Sequence, residues 1–106
     1  MGPDGHTCSL FPGHPLFLEA ANQTRLVLPI SDSPKPPSQR VTLTLNYINR
    51  SKNLLFFACG ASKADMIKRI LVDKDLSLPC ANVIPRNSEI SVLRWYIDQA
   101  AASLMK

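Results

Sequence analysis

The stretch that most limits what this chain can fold into is Asn53-Leu-Leu-Phe-Phe-Ala-Cys-Gly60, an unbroken apolar run that stops at a glycine. Half-exposed strands alternate apolar and polar residues. Unbroken runs of this length mark strands covered on both faces, as in a parallel sheet. The next segment, Ala61 to about Asp73, reads as a helix, because Ala64, Ile67 and Leu71 recur on one face with Met66 and Ile70 alongside. A strand that turns through Gly60-Ala-Ser-Lys63 into a helix predicts α/β layering around a parallel sheet. The same turn suits an anion: free backbone N–H groups, the positive end of the helix dipole and the Lys63 ammonium all gather there. Ligands of open sheets of this class bind beyond the carboxyl ends of the strands.

The remaining segments fit around that unit. Leu26-Val-Leu-Pro-Ile30 reads as a strand, with Pro29 placing it at an edge or an end. Arg40-Val-Thr-Leu-Thr-Leu is rich in β-branched residues and alternates, which favours a strand. Thr44 offers an alternative there, as the cap of a helix from Leu45 to Arg50. Between them, Ser31 to Gln39 carries three prolines and reads as a connector. From Ser9 to about Ala21, Pro12 and Pro15 allow a helical turn and then a short helix or irregular segment. Ile90 to about Ile97 reads as a strand, and Asp98 as the cap of a last helix, Gln99 to Met105.

Composition narrows the classes. A chain of 106 residues, 45% hydrophobic and 19% charged, is expected to be one soluble globular unit. No apolar run approaches the roughly 20 residues that cross a bilayer, and no basic-then-apolar leader opens the chain, so neither a membrane nor a secretory route is expected. The sequons Asn22-Gln23-Thr24 and Asn49-Arg50-Ser51 carry no meaning without such a route. Cys8, Cys59 and Cys80 lie far apart and suggest reduced thiols in the cytoplasm. No cysteine pair has zinc spacing, and no metal or cofactor is expected. The net charge of +4 is scattered without aromatic interleaving, which argues against nucleic acid as a partner.

The chemistry concentrates in the first thirteen residues, Met-Gly-Pro-Asp-Gly-His-Thr-Cys-Ser-Leu-Phe-Pro-Gly. Asp4 stands two residues before His6, with Gly2 and Gly5 around the pair and Pro3 stiffening the backbone. An imidazole held by a carboxylate suits general base catalysis. Asp-Gly-His in a Gly/Pro-rich segment is, by itself, also what a surface turn looks like. Cys8 is expected to be a buried small hydrophobe, His14 a surface residue, and Trp95 and Tyr96 core packing.

The full stretch resembles the signature loop of the 6-phosphogluconolactonases, a branch of the glucosamine-6-phosphate isomerase/deaminase superfamily. Pro29-Ile-Ser-Asp-Ser-Pro-Lys-Pro-Pro, Arg40-Val-Thr-Leu-Thr-Leu, Gly60-Ala-Ser-Lys63 and Trp95-Tyr-Ile-Asp-Gln-Ala-Ala-Ala resemble that family in its order. The resemblance covers the whole chain and corresponds to the C-terminal part of a Rossmann-like open, mostly parallel sheet flanked by helices. It implies hydrolysis of 6-phospho-D-glucono-1,5-lactone to 6-phosphogluconate, in the oxidative pentose phosphate pathway. His6 is then the base or ring-opening acid, and Asp4 its orienting carboxylate or a contact to sugar hydroxyls. Lys63 and Arg40 are the candidates for the 6-phosphate, and Gly5 lines the site. The Ser31–Gln39 loop would lie near the active-site mouth, and the mild positive charge suits an anionic sugar-phosphate substrate.

The deaminase branch shares the Asp-Gly-His loop but continues with an Ile-Ala-Phe-Asn-Glu-Pro type of sequence. Here Thr7-Cys8-Ser9-Leu10-Phe11-Pro12 comes next and no acid appears until Glu19, so the lactonase branch is preferred. The family's domain is about twice as long, with a Gly-Gly-Ser type phosphate loop and an Asp-Glu-Arg type segment absent here. Met1 resembles an internal methionine of the family. A signature loop lacking its preceding strand is expected to be a loose terminus. An inactive fragment, or a binding partner that complements a longer protein, is the alternative to an enzyme.

Overall fold

The structure, a computed structural model, describes residues 1–19 and 24–105. The end of the Ser9–Ala21 segment and part of the Asn22-Gln23-Thr24 sequon lie outside the described residues. Along the chain run α1 (Pro15–Leu18), β1 (Val27–Ile30), β2 (Arg40–Leu43), α2 (Leu45–Ile48), β3 (Asn53–Ala58), α3 (Ala64–Ile67) and β4 (Val92–Ile97). A 3₁₀ turn, Ala61–Lys63, leads into α3, a π-helical turn, Lys68–Val72, continues it, and Pro79–Asn82 forms a second 3₁₀ turn. The single helix expected from Ala61 to Asp73 is therefore three helical geometries in succession, and it still buries Ala64, Ile67 and Ile70.

The expected parallel pairing is present. β3 and β4 run parallel in the register Asn53↔Val92 to Ala58↔Ile97. On the inner face Phe56 stacks on Trp95 with ring centroids 4.0 Å apart. The outer face differs from expectation. Leu55, Phe57 and Tyr96 stand exposed, with Phe57 stacked on Tyr96 at 5.1 Å. An apolar run says that a strand can be covered on both faces; it does not supply the second layer. Among the described residues, packing reaches one face only, where the core clusters Ala58–Ile67–Ala101 and Ile70–Leu78–Cys80 lie.

The two strands nearer the N-terminus form a separate, antiparallel pair, a partnership that their sequences do not announce. β1 and β2 pair from Val27↔Leu43 to Ile30↔Arg40, with Pro29 opposite Val41. Leu28, Ile30 and Thr42 point inward and are buried. Thr44 serves as both strand end and helix cap. It closes β2 and caps α2, accepting the Tyr47 N–H at 3.3 Å. Its hydroxyl donates to the carbonyl oxygen of Arg25.

The last helix is replaced by successive turns over residues 99–104, although the cap itself forms. Asp98 accepts the Ala101 N–H at 2.8 Å and the Gly60 N–H at 3.1 and 3.2 Å, which fastens the end of β4 to the end of β3. Those two N–H groups hold the Asp98 carboxyl below its ordinary value of 3.8. A depressed carboxylate stabilises the fold above its unfolded pKa and loses that effect as pH falls through the folded value. Asp98→Ala is therefore expected to lower the urea midpoint at neutral pH, and the gap to close in strong acid. Equal gaps at both pH values would show that the carboxylate's charge is not what matters.

Candidate active site

The signature loop is a knot of short hydrogen bonds. The Gly2 N–H donates to the His6 carbonyl at 3.0 Å, and the Gly5 N–H to the Gly2 carbonyl at 3.1 Å. Gly5 takes φ +82°, in the region that glycine alone enters freely, and a Cβ there would meet Met66 Sδ and Leu78 Cδ2 at 3.1 Å. Gly2 is needed for space: a Cβ on it would lie 2.0 Å from His6 Cε1. The His6 ring thus lies directly on the Gly2 backbone.

The loop is not a loose terminus. Met1 packs against the inner core clusters. The Cys80 N–H donates to the Gly5 carbonyl at 3.0 Å, and the Cys80 thiol to the His6 carbonyl at 3.5 Å. Further along, the Ser9 N–H donates to the buried Thr42 Oγ1 on β2 at 3.0 Å. Core packing and hydrogen bonds from the Pro79–Asn82 turn and from β2 supply the anchoring that a preceding strand was expected to give. These supports are side chains and backbone groups distant in sequence, so no local pattern announces them.

Asp4 and His6 meet as their spacing suggests. Asp4 Oδ1 lies 2.5 Å from His6 Nδ1 and also accepts the His6 N–H at 3.2 Å. Partial burial pushes the Asp4 carboxyl up, but its bonds to His6 outweigh that and hold it below 3.8. The carboxylate is therefore ionised at neutral pH. An ionised acceptor at Nδ1 selects the tautomer with hydrogen on Nδ1, which leaves Nε2 as the basic nitrogen. The His6 side chain is 17% exposed, so it is partly open to solvent while held by Asp4. Its ring rests on the fully buried Phe11, centroid to centroid 4.6 Å. Asp4 opens onto a cleft of about 580 Å³ bounded by Phe11, Gly13, Pro34, Arg69 and Leu78.

Lys63 reaches the same place. Its Nζ donates to the Met1 carbonyl at 3.0 Å, one residue before the glycine on which His6 lies. Arg40 stands further off, with its guanidinium 5.4 Å from the Phe11 centroid on β2's side. Its Nε donates to the Pro37 carbonyl at 3.0 Å, and its Nη2 to those of Lys35 and Pro36 at 3.1 and 2.8 Å. The structure thus brings Asp4, Gly5, His6 and Lys63 together and places Arg40 behind Phe11.

Two neighbours differ from expectation. His14 is structural: it caps α1 by accepting the Leu16 N–H at Nδ1, and its Nε2 lies 2.9 Å from Asp32 Oδ1. With Nδ1 accepting, Nε2 carries the hydrogen and donates to Asp32. Cys8 is exposed rather than buried and adopts φ 51°. Desolvation of its thiol by neighbouring atoms raises its pKa, so it is poorly suited to nucleophilic work. Cys80 is the buried cysteine, its thiol pushed up to about 12 by desolvation.

Comparisons with known proteins identify relatives of the whole chain. A family profile described as glucosamine-6-phosphate isomerases/6-phosphogluconolactonase matches residues 1–93. The chain is 53% identical over 105 residues to the 6-phosphogluconolactonase of Rattus norvegicus, covering 99% of this chain and 38% of that protein. It is 51% identical over 106 residues to the 6-phosphogluconolactonase of Homo sapiens, at 99% and 39% coverage. The solved 6-phosphogluconolactonase of Trypanosoma brucei superposes with a TM-score of 0.75 at 29% identity, covering 100% of this chain and 40% of that one. The chain therefore spans about two fifths of the length of these relatives.

Proposed function

This chain belongs to the glucosamine-6-phosphate isomerase/6-phosphogluconolactonase family, and on that footing we propose that it carries the catalytic base of a 6-phosphogluconolactonase. The observation that carries this reading is the 2.5 Å contact of Asp4 with His6 Nδ1, which turns Nε2 into a base. The reaction needs little else. His6 Nε2 takes a proton from water as the water oxygen attacks the lactone carbonyl carbon. The tetrahedral intermediate collapses with cleavage of the ring C–O bond, and the imidazolium returns the proton to the departing ring oxygen. The products are the hydroxy acid and the regenerated base. Asp4 stays ionised throughout, orienting the ring and stabilising its charged form. Gly5 lets the backbone approach the sugar.

Lys63 is the proposed anchor for the 6-phosphate, exchanging its Met1 carbonyl for a charged partner. A contact to the phosphate made equally in the ground state and the transition state is felt in KM and not in kcat. Lys63→Met is expected to raise KM for 6-phosphogluconolactone roughly tenfold or more, with kcat nearly unchanged, and to leave hydrolysis of unphosphorylated gluconolactone alone. Equal losses on both lactones would remove Lys63 from phosphate recognition.

Residues 1–106 are further proposed to form one part of a larger domain of this family. Two observations support it: the share of each relative that is matched, and the uncovered face at Leu55, Phe57 and Tyr96. A parallel sheet is ordinarily covered on both sides. The substrate is a small sugar-phosphate lactone. Among the described residues no helix is long and apolar enough to cross a membrane.

A further inference from the structure

We propose that Arg40 is a positioning residue that fixes the His6 ring through Phe11, and that it does not serve as a phosphate ligand. This role deepens the lactonase reading and rests on it for its kinetic consequence, while the placement of the ring can be tested without it.

Three groups are stacked in order. The His6 ring lies 4.6 Å from Phe11 at an interplanar angle of 35°, and the Arg40 guanidinium carbon lies 5.4 Å from the same Phe11 ring. Phe11 has no exposed surface, so its ring has no room to move away from either neighbour. Asp4 holds His6 at Nδ1, but one hydrogen bond leaves the ring free to tilt about it. The Phe11 ring limits that freedom, and the Gly2 backbone lies close against the Cε1–Nδ1 edge.

Arg40 in turn sets where Phe11 can lie. Its Nε and Nη2 are committed to the carbonyls of Pro37, Lys35 and Pro36, three successive residues of the loop that joins β1 to β2. A planar cation tied down at one edge is held in place, and here its central carbon lies over an aromatic ring. A two-pronged grip on a phosphate would have to take Nη2 away from the loop. The backbone of Arg40 is itself fixed by pairing with Ile30. The guanidinium is therefore a spacer between a pinned loop and a buried ring.

Lysine in its place would keep the charge but lose both the fork and the flat face. This separates the two roles. A phosphate ligand is largely rescued by Arg40→Lys; a stacked spacer is not.

The test uses the whole chain without ligand. The His6 ring carbon-bound proton signals are recorded by NMR in the native protein, Arg40→Lys, Arg40→Ala and Phe11→Leu, with His14 signals assigned through His14→Gln. Displacement of the His6 signals in both Arg40 variants is expected, in the direction that Phe11→Leu produces. Unchanged His6 signals in both Arg40 variants overturn the proposal, whether or not Phe11→Leu folds. On 6-phosphogluconolactone, Arg40→Lys is expected to lower kcat roughly 10–100-fold with KM within about twofold. A raised KM with native kcat in Arg40→Ala, restored by lysine, would make Arg40 a phosphate ligand instead. If native protein gives no rate above background, the lactonase activity of residues 1–106 alone fails while the NMR result still decides the placement of the ring.

Discussion

Gly2→Ala is expected to cost about a hundredfold in kcat while leaving the fold intact. A methyl group at that position would sit 2.0 Å from His6 Cε1 and 2.1 Å from His6 Nδ1, well inside any van der Waals contact. The Gly2 backbone cannot withdraw easily, because its N–H is bonded to the His6 carbonyl at 3.0 Å and its carbonyl to the Gly5 N–H at 3.1 Å. The imidazole must therefore swing away and abandon Asp4. Displacing a catalytic group by about 1 Å costs on the order of 10²-fold. Gly13→Ala is the matched control. Gly13 has φ +73°, so alanine there is strained, but nothing lies within 4 Å of the added carbon and His6 stays in place. The comparison needs kcat for both variants beside far-UV circular dichroism. A Gly2→Ala protein with native kcat would mean that the ring position is not critical.

His6→Gln is expected to remove the proton-transfer contribution, about 10²–10⁴-fold in kcat. Glutamine can keep a polar contact with Asp4 but offers no basic nitrogen at neutral pH. Asp4→Asn probes the same pair from the other side. An amide no longer enforces hydrogen on Nδ1, so part of the His6 population holds its proton on Nε2, where it cannot act as a base. The loss should be smaller than for His6→Gln, and it should persist at any pH where native Asp4 is ionised. An Asp4→Asn variant with the larger loss would reassign the carboxylate to direct contact with substrate.

Much of this arrangement is legible in the sequence because its signals are local. The Asn53–Gly60 run and the helical periodicity after it announce β3, the Gly60 turn and the buried face of α3. Asp4 and His6 are two residues apart, so a tight loop could hardly separate them. The features that stay hidden depend on partners far along the chain. β1 and β2 pair across a nine-residue, proline-rich connection whose carbonyls are gathered by Arg40, a set of bonds that no local residue pattern announces. His14 reads as a surface residue until Asp32, eighteen residues on, takes up its Nε2. Gly2 looks like one more loop glycine; only the folded ring of His6 shows that the position has no room for a side chain. An apolar strand says nothing about whether its second cover is present, as Leu55 and Phe57 show.

Whether His6, oriented by Asp4, is the base for lactone hydrolysis is tested most directly by a rate. Freshly generated 6-phosphogluconolactone is added to the 106-residue chain, and acid release is followed above the spontaneous opening of the lactone, beside His6→Gln. The expected result is a rate above background that His6→Gln brings down by at least about two orders of magnitude. A rate that survives the loss of His6 would contradict the assignment of His6 as the base, whereas a native rate equal to background would show that residues 1–106 need the rest of the domain to act.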